Sequence, residues 1–181
     1  ILPSVRGAEP AAAPAADALH VALMGAGVQG RVLMSASLPI PGVRFRAIAD
    51  VWDRARRVAA SYLRSYDIVA NTYSDYRELL EKEKGLHAAI IATPDGVHAE
   101  QAVACLKAGL HVYCEKPMAG TLEGARAMVR AARETGRLLQ IGYQRRSNPR
   151  YRHVAENLLR KAKLTGRLTA ADAQWCQAVA E

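Results

Sequence analysis

The sequence has few cysteines and lacks any long apolar stretch, and each shortage excludes a class of protein. Its 181 residues include three cysteines, whose spacing fits neither a disulfide framework nor a metal site. Cys105 and Cys114 fall where the apolar pattern predicts burial, so we expect reduced, inert core thiols and no metal centre. No apolar run approaches the roughly 20 residues that span a bilayer, which argues against a membrane protein.

Half of the residues are hydrophobic and the formal net charge is +8, as in a globular protein with one full domain, or one domain and the start of another. Many basic residues fall in one region, which contains Arg145, Arg146, Arg150, Arg152, Arg160, Lys161, Lys163 and Arg167. A basic surface can bind nucleic acid, but no nucleic-acid-binding motif is recognisable there. We therefore favour a solvated helix face with contacts to anionic ligands over a nucleic-acid-binding regulator.

Residues 1–18 are rich in alanine and proline and have no periodicity, which predicts a flexible tail before the folded part. Residues 1–8 could be the remnant of an export signal, but they lack a basic beginning and a complete apolar segment. Both the cytoplasm and the periplasm therefore stay open as compartments.

After the tail, short apolar runs alternate with helical periodicity, the pattern of β-α-β units and a parallel sheet. Strands are predicted near 20–24 and over 43–50, 88–92, 111–114 and 138–142. Helices are predicted over 28–38, through the basic residues after position 53, over 76–83, 99–106 and 122–134, and from the cap Asn148-Pro149 to about residue 163. An extended segment is predicted over 167–176. The fold class that we expect is α/β, a Rossmann-type doubly wound parallel sheet.

A glycine-rich turn follows the first predicted strand and carries the strongest functional signal in the chain. It reads Gly25-Ala26-Gly27-Val28-Gln29-Gly30 and opens a helical pattern, and Asp50 follows about twenty residues later, as in dinucleotide sites. Gly25 suits the tight turn, Gly27 lets the backbone approach a pyrophosphate, and Gly30 lets the helix pack closely on the strand. Asp50, at the end of the second strand, is placed to accept hydrogen bonds from a ribose diol. We therefore predict a dinucleotide site.

Three further motifs follow later strands, at the edge where open parallel sheets bind their ligands. They are Thr93-Pro94-Asp95 with His98, Cys114-Glu115-Lys116-Pro117, and Gly142-Tyr143-Gln144-Arg145-Arg146. Taken singly, each also fits a plain structural role: a turn in which Asp95 caps the helix, a surface ion pair between Glu115 and Lys116, and solvated arginines.

Together, and in this order, the motifs resemble those of the Gfo/Idh/MocA oxidoreductases; the likeness extends from His20 to about Cys176 and is most specific at Glu115-Lys116-Pro117. The resemblance implies an enzyme that transfers a hydride between NAD or NADP and a secondary hydroxyl of a sugar, cyclitol or similar polyol. It implies that Lys116 is the catalytic residue beside the nicotinamide and that Pro117 helps to orient it. The implied cofactor-binding residues are Gly25, Gly27, Val28, Gln29, Gly30, Asp50, Thr93, Pro94, Asp95, His98, Glu115 and Lys116. The implied substrate-binding residues are Lys116, Gln144, Arg145 and Arg146.

Members of this family carry a second domain, which supplies a catalytic histidine and usually the interface of a homo-oligomer. The organisation expected here is a tail over 1–18, a dinucleotide-binding Rossmann domain over 19–148, and a linking helix and first strand of a truncated substrate domain over 149–181. Asp50 would repel a 2′-phosphate and favours NAD, while Arg54, Arg56 and Arg57 leave NADP open. Two other functions stay open: a non-catalytic dinucleotide-binding module, and an NAD-dependent glycosidase of the same fold.

Overall fold

The computed structural model describes residues 18–174, which divide into two compact units, one ending at Gly142 and the other beginning at Tyr143. The first unit is a sheet with helices between its strands. Its strands are β1 (Leu19–Met24), β2 (Val43–Ala49), β3 (Asn71–Tyr73), β4 (Ala88–Ile91), β5 (His111–Glu115) and β6 (Leu139–Gly142). Its helices are α1 (Val28–Ser37), α2 (Asp53–Arg64), α3 (Tyr76–Lys82), α4 (His98–Lys107) and α5 (Leu122–Thr135), and a 3-10 turn at Asp95–Val97 leads into α4.

All neighbouring strands of the first unit pair in parallel, in the order β3-β2-β1-β4-β5-β6. The first three strands run from β1 at the centre of the sheet to β3 at one edge. The chain then returns to the centre, and the last three run from β4 to β6 at the other edge. This is the doubly wound Rossmann order, and it leaves a crevice at the carboxyl ends of β1 and β4, where the order reverses. The predicted fold class is confirmed.

Helices cover the sheet on both faces. Successive residues of β1 point to opposite sides of the sheet, so each side packs against a different pair of helices. Ala22 and Met24 pack into the core on the side of α4 and α5, while Val21 and Leu23 pack into the core on the side of α1 and α2. A strand buried on both faces has no polar side, which explains the continuous apolar runs over 21–24 in β1 and over 88–91 in β4.

The second unit contains α6 (Pro149–His153), which begins at the predicted cap: the Asn148 side chain accepts a hydrogen bond from the Arg150 backbone N–H at 2.9 Å. The helix continues over Val154–Lys161, but with π-helical geometry, which the sequence pattern did not predict. Residues 167–174 of the predicted extended segment contain no assigned strand, and 175–176 lie outside the described residues. The predicted tail lies outside them as far as residue 17. In the described part of the chain, no helix combines the length and apolarity needed to cross a membrane.

The turn between β1 and α1 has no room for side chains at two of its three glycines. Gly25 has φ +85°, and a Cβ there would lie 2.5 Å from the carbonyl oxygen of Ala92. A Cβ at Gly30 would overlap the carbonyl oxygen of Gly25, whereas a Cβ at Gly27 would meet no atom within 4 Å. Gly25 and Gly30 are therefore required by the fold, and Gly27 is not.

We predict that Gly30→Ala lowers the free energy of unfolding by about 1–3 kcal/mol, the usual cost of overpacking a tight site. Gly27→Ala, the matched control, should keep the wild-type stability, since its Cβ has open space. Urea unfolding followed by circular dichroism measures both. Equal stability of the two variants would contradict the packing argument.

Both predicted core thiols are buried as expected, since Cys105 and Cys114 have 0% exposure. Burial raises the pKa of each thiol to about 12. We predict that iodoacetamide at neutral pH leaves both residues unmodified in the folded protein, because the reactive thiolate forms only as the pH approaches that value. Peptide mapping by mass spectrometry gives the result, with the urea-unfolded chain as the positive control. Labelling of either residue in the folded state would show that it is accessible.

Candidate functional site

The glycine turn brings Asp50 beside the beginning of α1. Asp50 follows β2, and its Oδ2 accepts a hydrogen bond from the backbone N–H of Ala26 at 2.7 Å. Its Oδ1 accepts another from the backbone N–H of Trp52 at 2.8 Å. The predicted acid is thus fixed against the turn by two backbone groups, and each oxygen keeps a second lone pair for another donor.

A cavity of about 740 Å³ opens along this turn, a size typical of a cofactor site. Seven of the predicted cofactor-binding residues line it: Gly25, Gly27, Val28, Gln29, Asp50, Thr93 and Pro94. Gly30 is not among the lining residues, since it is buried beneath the turn. The helix end beside the cavity has no side-chain cap, so its first N–H groups are free to bind an anion.

A polar cluster at one side of the cavity was missed by the sequence analysis. Tyr76 donates its hydroxyl to Glu100 at 2.7 Å, and Arg77 forms ion pairs with both Glu100 and Asp75. Arg77 also lies over the Tyr76 ring at 4.6 Å from its centroid. Burial and the neighbouring Glu100 raise the pKa of Tyr76 to about 12. The sequence showed only a helix start at Asp75, because the contact joins α3 to α4 across 24 residues of chain.

The motif after β4 divides between the cavity and the interior. Thr93 lines the cavity, and its hydroxyl donates to Gln101 at 2.7 Å. Asp95 is exposed in the 3-10 turn and does not line the cavity. His98 is 1% exposed; its Nε2 lies 2.8 Å from the carbonyl oxygen of Thr93, and its Nδ1 lies 2.9 Å from that of Pro117. His98 thus connects the loop after β4 to the loop after β5. Its contact with a cofactor stays a prediction.

The motif after β5 places a buried acid beside an exposed lysine. Glu115 is 4% exposed, and its Oε1 accepts a hydrogen bond from Gln29 Nε2 at 3.0 Å. Its Oε2 accepts one from the backbone N–H of Lys116 at 3.2 Å. The Lys116–Pro117 peptide bond is cis. The surface ion pair between Glu115 and Lys116 that the sequence left open is not formed, since ion pairs within 18–174 do not include Glu115.

Tyr113 completes the surroundings of this acid. Its hydroxyl lies 3.4 Å from Glu115 Oε1, and burial together with the Glu115 charge raises the pKa of Tyr113. A Cβ at Gly142 would overlap this hydroxyl, so the end of β6 must be glycine for the tyrosine to lie there.

The predicted substrate-binding residues Gln144, Arg145 and Arg146 belong to the second unit, where all three are exposed. Arg145 donates to the Tyr151 hydroxyl at 2.7 Å, and Arg146 lies over the Tyr143 ring at 5.4 Å. Their contact with substrate stays a prediction. Within residues 18–174, no three His, Cys, Asp or Glu side chains are grouped so that they could hold a metal ion.

Known proteins resemble the chain in sequence and in fold. A 4-carboxy-2-hydroxymuconate-6-semialdehyde dehydrogenase from Sphingobium sp. is 32% identical over 142 residues, which is 78% of this chain and 43% of the relative. An inositol 2-dehydrogenase from Rubrobacter xylanophilus is 37% identical over 118 residues, which is 65% of this chain and 32% of the relative.

A crystal structure of the WlbA dehydrogenase from Bordetella pertussis, in complex with NADH and UDP-GlcNAcA, matches with a TM-score of 0.68 at 28% identity. That match covers 83% of this chain and 40% of the other. The chain thus spans less than half the length of the relatives it matches.

The model of an oxidoreductase family with an NAD-binding Rossmann fold matches residues 19–143. This range includes the glycine turn, Asp50 and Lys116, and it is most of the chain. The chain therefore belongs to the Gfo/Idh/MocA family of oxidoreductases, and the unit that carries the glycine turn is its NAD-binding domain.

Proposed function

We propose that this protein oxidises a secondary alcohol of a polyol or sugar by passing a hydride to NAD. One observation carries the proposal: Gln29 Nε2 donates to Glu115 Oε1 at 3.0 Å. This hydrogen bond joins the glycine turn to the strand end that bears Lys116, so the groups proposed for cofactor binding and for catalysis share one rigid support. The relative named inositol 2-dehydrogenase supports a cyclitol or a similar polyol as the substrate.

The residues around the cavity fit a dinucleotide. The uncapped beginning of α1 offers backbone N–H groups to a pyrophosphate, and the open space over Gly27 lets phosphate oxygens approach the backbone. Asp50 can accept hydrogen bonds from both hydroxyls of a ribose, because each of its oxygens is used only once within the protein.

Contacts among the arginines after β2 support NAD over NADP. Arg56 and Arg57 both form ion pairs with Asp53, and Arg54 lies over the Trp52 ring at 5.8 Å. A guanidinium engaged in this way is less available to a 2′-phosphate than a free one. The arginines that kept NADP open in the sequence therefore have other partners in the structure.

Lys116 is the group that we propose for proton transfer. It is exposed at the end of β5, and Glu115 fixes its backbone N–H. When bound, NAD supplies the hydride acceptor. The Lys116 amine would hold the reacting hydroxyl by a hydrogen bond and take its proton as the hydride leaves the same carbon.

We also propose roles for the predicted substrate-binding residues and for a substrate domain. Gln144, Arg145 and Arg146 would bind substrate hydroxyls or an anionic group. The domain boundaries predicted at 18 and 148, a substrate domain with a further catalytic residue, and a homo-oligomer formed through that domain are included in the same proposal.

We predict that Lys116→Met lowers kcat for polyol oxidation by about 10²–10⁴-fold, the usual contribution of general acid–base catalysis, and leaves the Kd for NAD⁺ close to wild type. Lys84→Met, at an exposed position between α3 and the beginning of β4, is the matched control and should keep the wild-type kcat. NADH formation with a panel of cyclitols and sugars measures kcat, and calorimetry measures Kd. NAD⁺ binding without oxidation of any of these substrates would favour a binding module. Glycoside cleavage without accumulated NADH would favour the glycosidase.

We also predict that the protein binds NAD⁺ at least about tenfold more tightly than NADP⁺, since an unscreened like charge costs about 1.4 kcal/mol or more. Asp50→Asn should reduce this preference by removing the charge that repels a 2′-phosphate. Glu81→Gln removes a charge from the exposed side of α3 and should leave the preference unchanged. Calorimetric titration with each cofactor decides, and an unaltered preference in Asp50→Asn would assign the discrimination to other groups.

A further inference from the structure

Glu115 accepts hydrogen bonds from three groups. Gln29 Nε2, the Tyr113 hydroxyl and the Lys116 backbone N–H lie at 3.0, 3.4 and 3.2 Å from its two oxygens. A protonated carboxyl group would need an acceptor for its own O–H, whereas an ionised carboxylate only accepts. The three contacts of Glu115 are therefore ones that a carboxylate ion can make.

This carboxylate forms no ion pair in the described part of the chain. Its three donors are neutral groups, and the ion pairs found within 18–174 are all made by other acids. With 4% of its surface exposed, Glu115 also receives little compensation from water. A buried charge that lacks an opposite charge is unfavourable. A positively charged ligand group placed near it would therefore be bound more tightly than a neutral one.

The strand order places Glu115 on the side of the crevice opposite to Asp50. Asp50 follows β2 and Glu115 ends β5, so the two acids lie on either side of the point where the order reverses. A dinucleotide binds across that point, one nucleotide on each half of the sheet. With the adenosine ribose at Asp50, the nicotinamide half belongs on the side of Glu115.

We propose that Glu115 makes this site bind the oxidised cofactor more tightly than the reduced one. The inference rests on the proposed function, because it requires a bound nicotinamide dinucleotide. The nicotinamide ring is positively charged in NAD⁺ and neutral in NADH, so a fixed buried carboxylate nearby stabilises only the oxidised form. Glu115 acts here through its charge, independently of its hydrogen bonds to Gln29 and Lys116.

The charge of Lys116 opposes this effect but does not cancel it. The lysine is exposed, so water and salt screen its ammonium group. Glu115 is buried, and its field passes through a medium of lower dielectric constant. The field of Glu115 is therefore screened less than that of Lys116.

The test is the ratio of the Kd values for NADH and NAD⁺, measured by calorimetry on the full chain. We expect wild type to bind NAD⁺ roughly tenfold more tightly than NADH, and Glu115→Gln to remove most of this difference. A tenfold change in the ratio corresponds to about 30 mV in the two-electron potential of the bound couple. Affinity for ADP-ribose, which lacks the nicotinamide, should be equal in wild type and in Glu115→Gln.

Glu83→Gln is the matched control. Glu83 is also buried, at 8% exposure, and accepts hydrogen bonds from the neutral side chains of Asn71 and Tyr73, both at 2.7 Å. Like Glu115, it does not line the cavity, but its partners belong to β3, at the edge of the sheet far from β5. This variant should therefore keep the wild-type ratio. Glu115→Asp keeps the charge and should also keep most of the ratio.

The outcomes separate the two proposals. If neither form of the cofactor binds to wild type, the proposed function fails. If both bind, but NADH binds to wild type as tightly as NAD⁺, or Glu115→Gln keeps the wild-type ratio, the proposal for Glu115 is overturned and the proposed function stands. If Glu115→Gln does not fold, the ratios in wild type and Glu115→Asp still decide, because the proposal requires both to favour NAD⁺.

Discussion

The close backbone contact between the β1–α1 turn and the end of β4 is the constraint on which the rest of the site depends. At Gly25 a single methyl group would meet the Ala92 carbonyl at 2.5 Å, and at Gly30 it would overlap the turn itself. With that contact made, the free N–H groups of α1 face the crevice, Ala26 is within reach of Asp50, and Gln29 is within reach of Glu115. The two acids that define the opposite ends of the site are thereby held by the same six-residue turn.

Much of this arrangement could be predicted from the sequence, because the information is local. An apolar run between turns indicates a strand, and parallel strands put their carboxyl ends at one edge, so residues that follow strands must gather there. Asp50 needed no more than this and its spacing from the glycine turn to be chosen as a candidate, whereas Thr93 and Lys116 gained their roles from the resemblance to the family. The Asn148 cap was equally readable, because the side chain bonds to a backbone group two residues away.

The features that the sequence did not reveal depend on contacts between distant segments. β3 is three residues long, polar and aromatic, and is held as a strand only by its pairing with β2, so it carries no apolar pattern of its own. Tyr76 and Arg77 belong to the cavity because α3 lies beside α4, which no local pattern indicates. Glu115 accepts a hydrogen bond from a residue of the glycine turn, 86 residues earlier. Spacing alone could predict that an acid stands beside Lys116, but not that the acid is bonded elsewhere.

The two contacts of His98 also limit how this protein can change in evolution. The two nitrogens of the His98 ring lie on opposite sides of it, at 2.8 Å from the carbonyl oxygen of Thr93 and 2.9 Å from that of Pro117. An amide side chain carries its donors on one nitrogen and a hydroxyl has a single donor, so neither can reach two carbonyl oxygens on opposite sides. Replacement by an amide or a hydroxyl side chain would therefore release one of the two loops. We therefore expect substitutions of this histidine to be disfavoured, although it does not line the cavity.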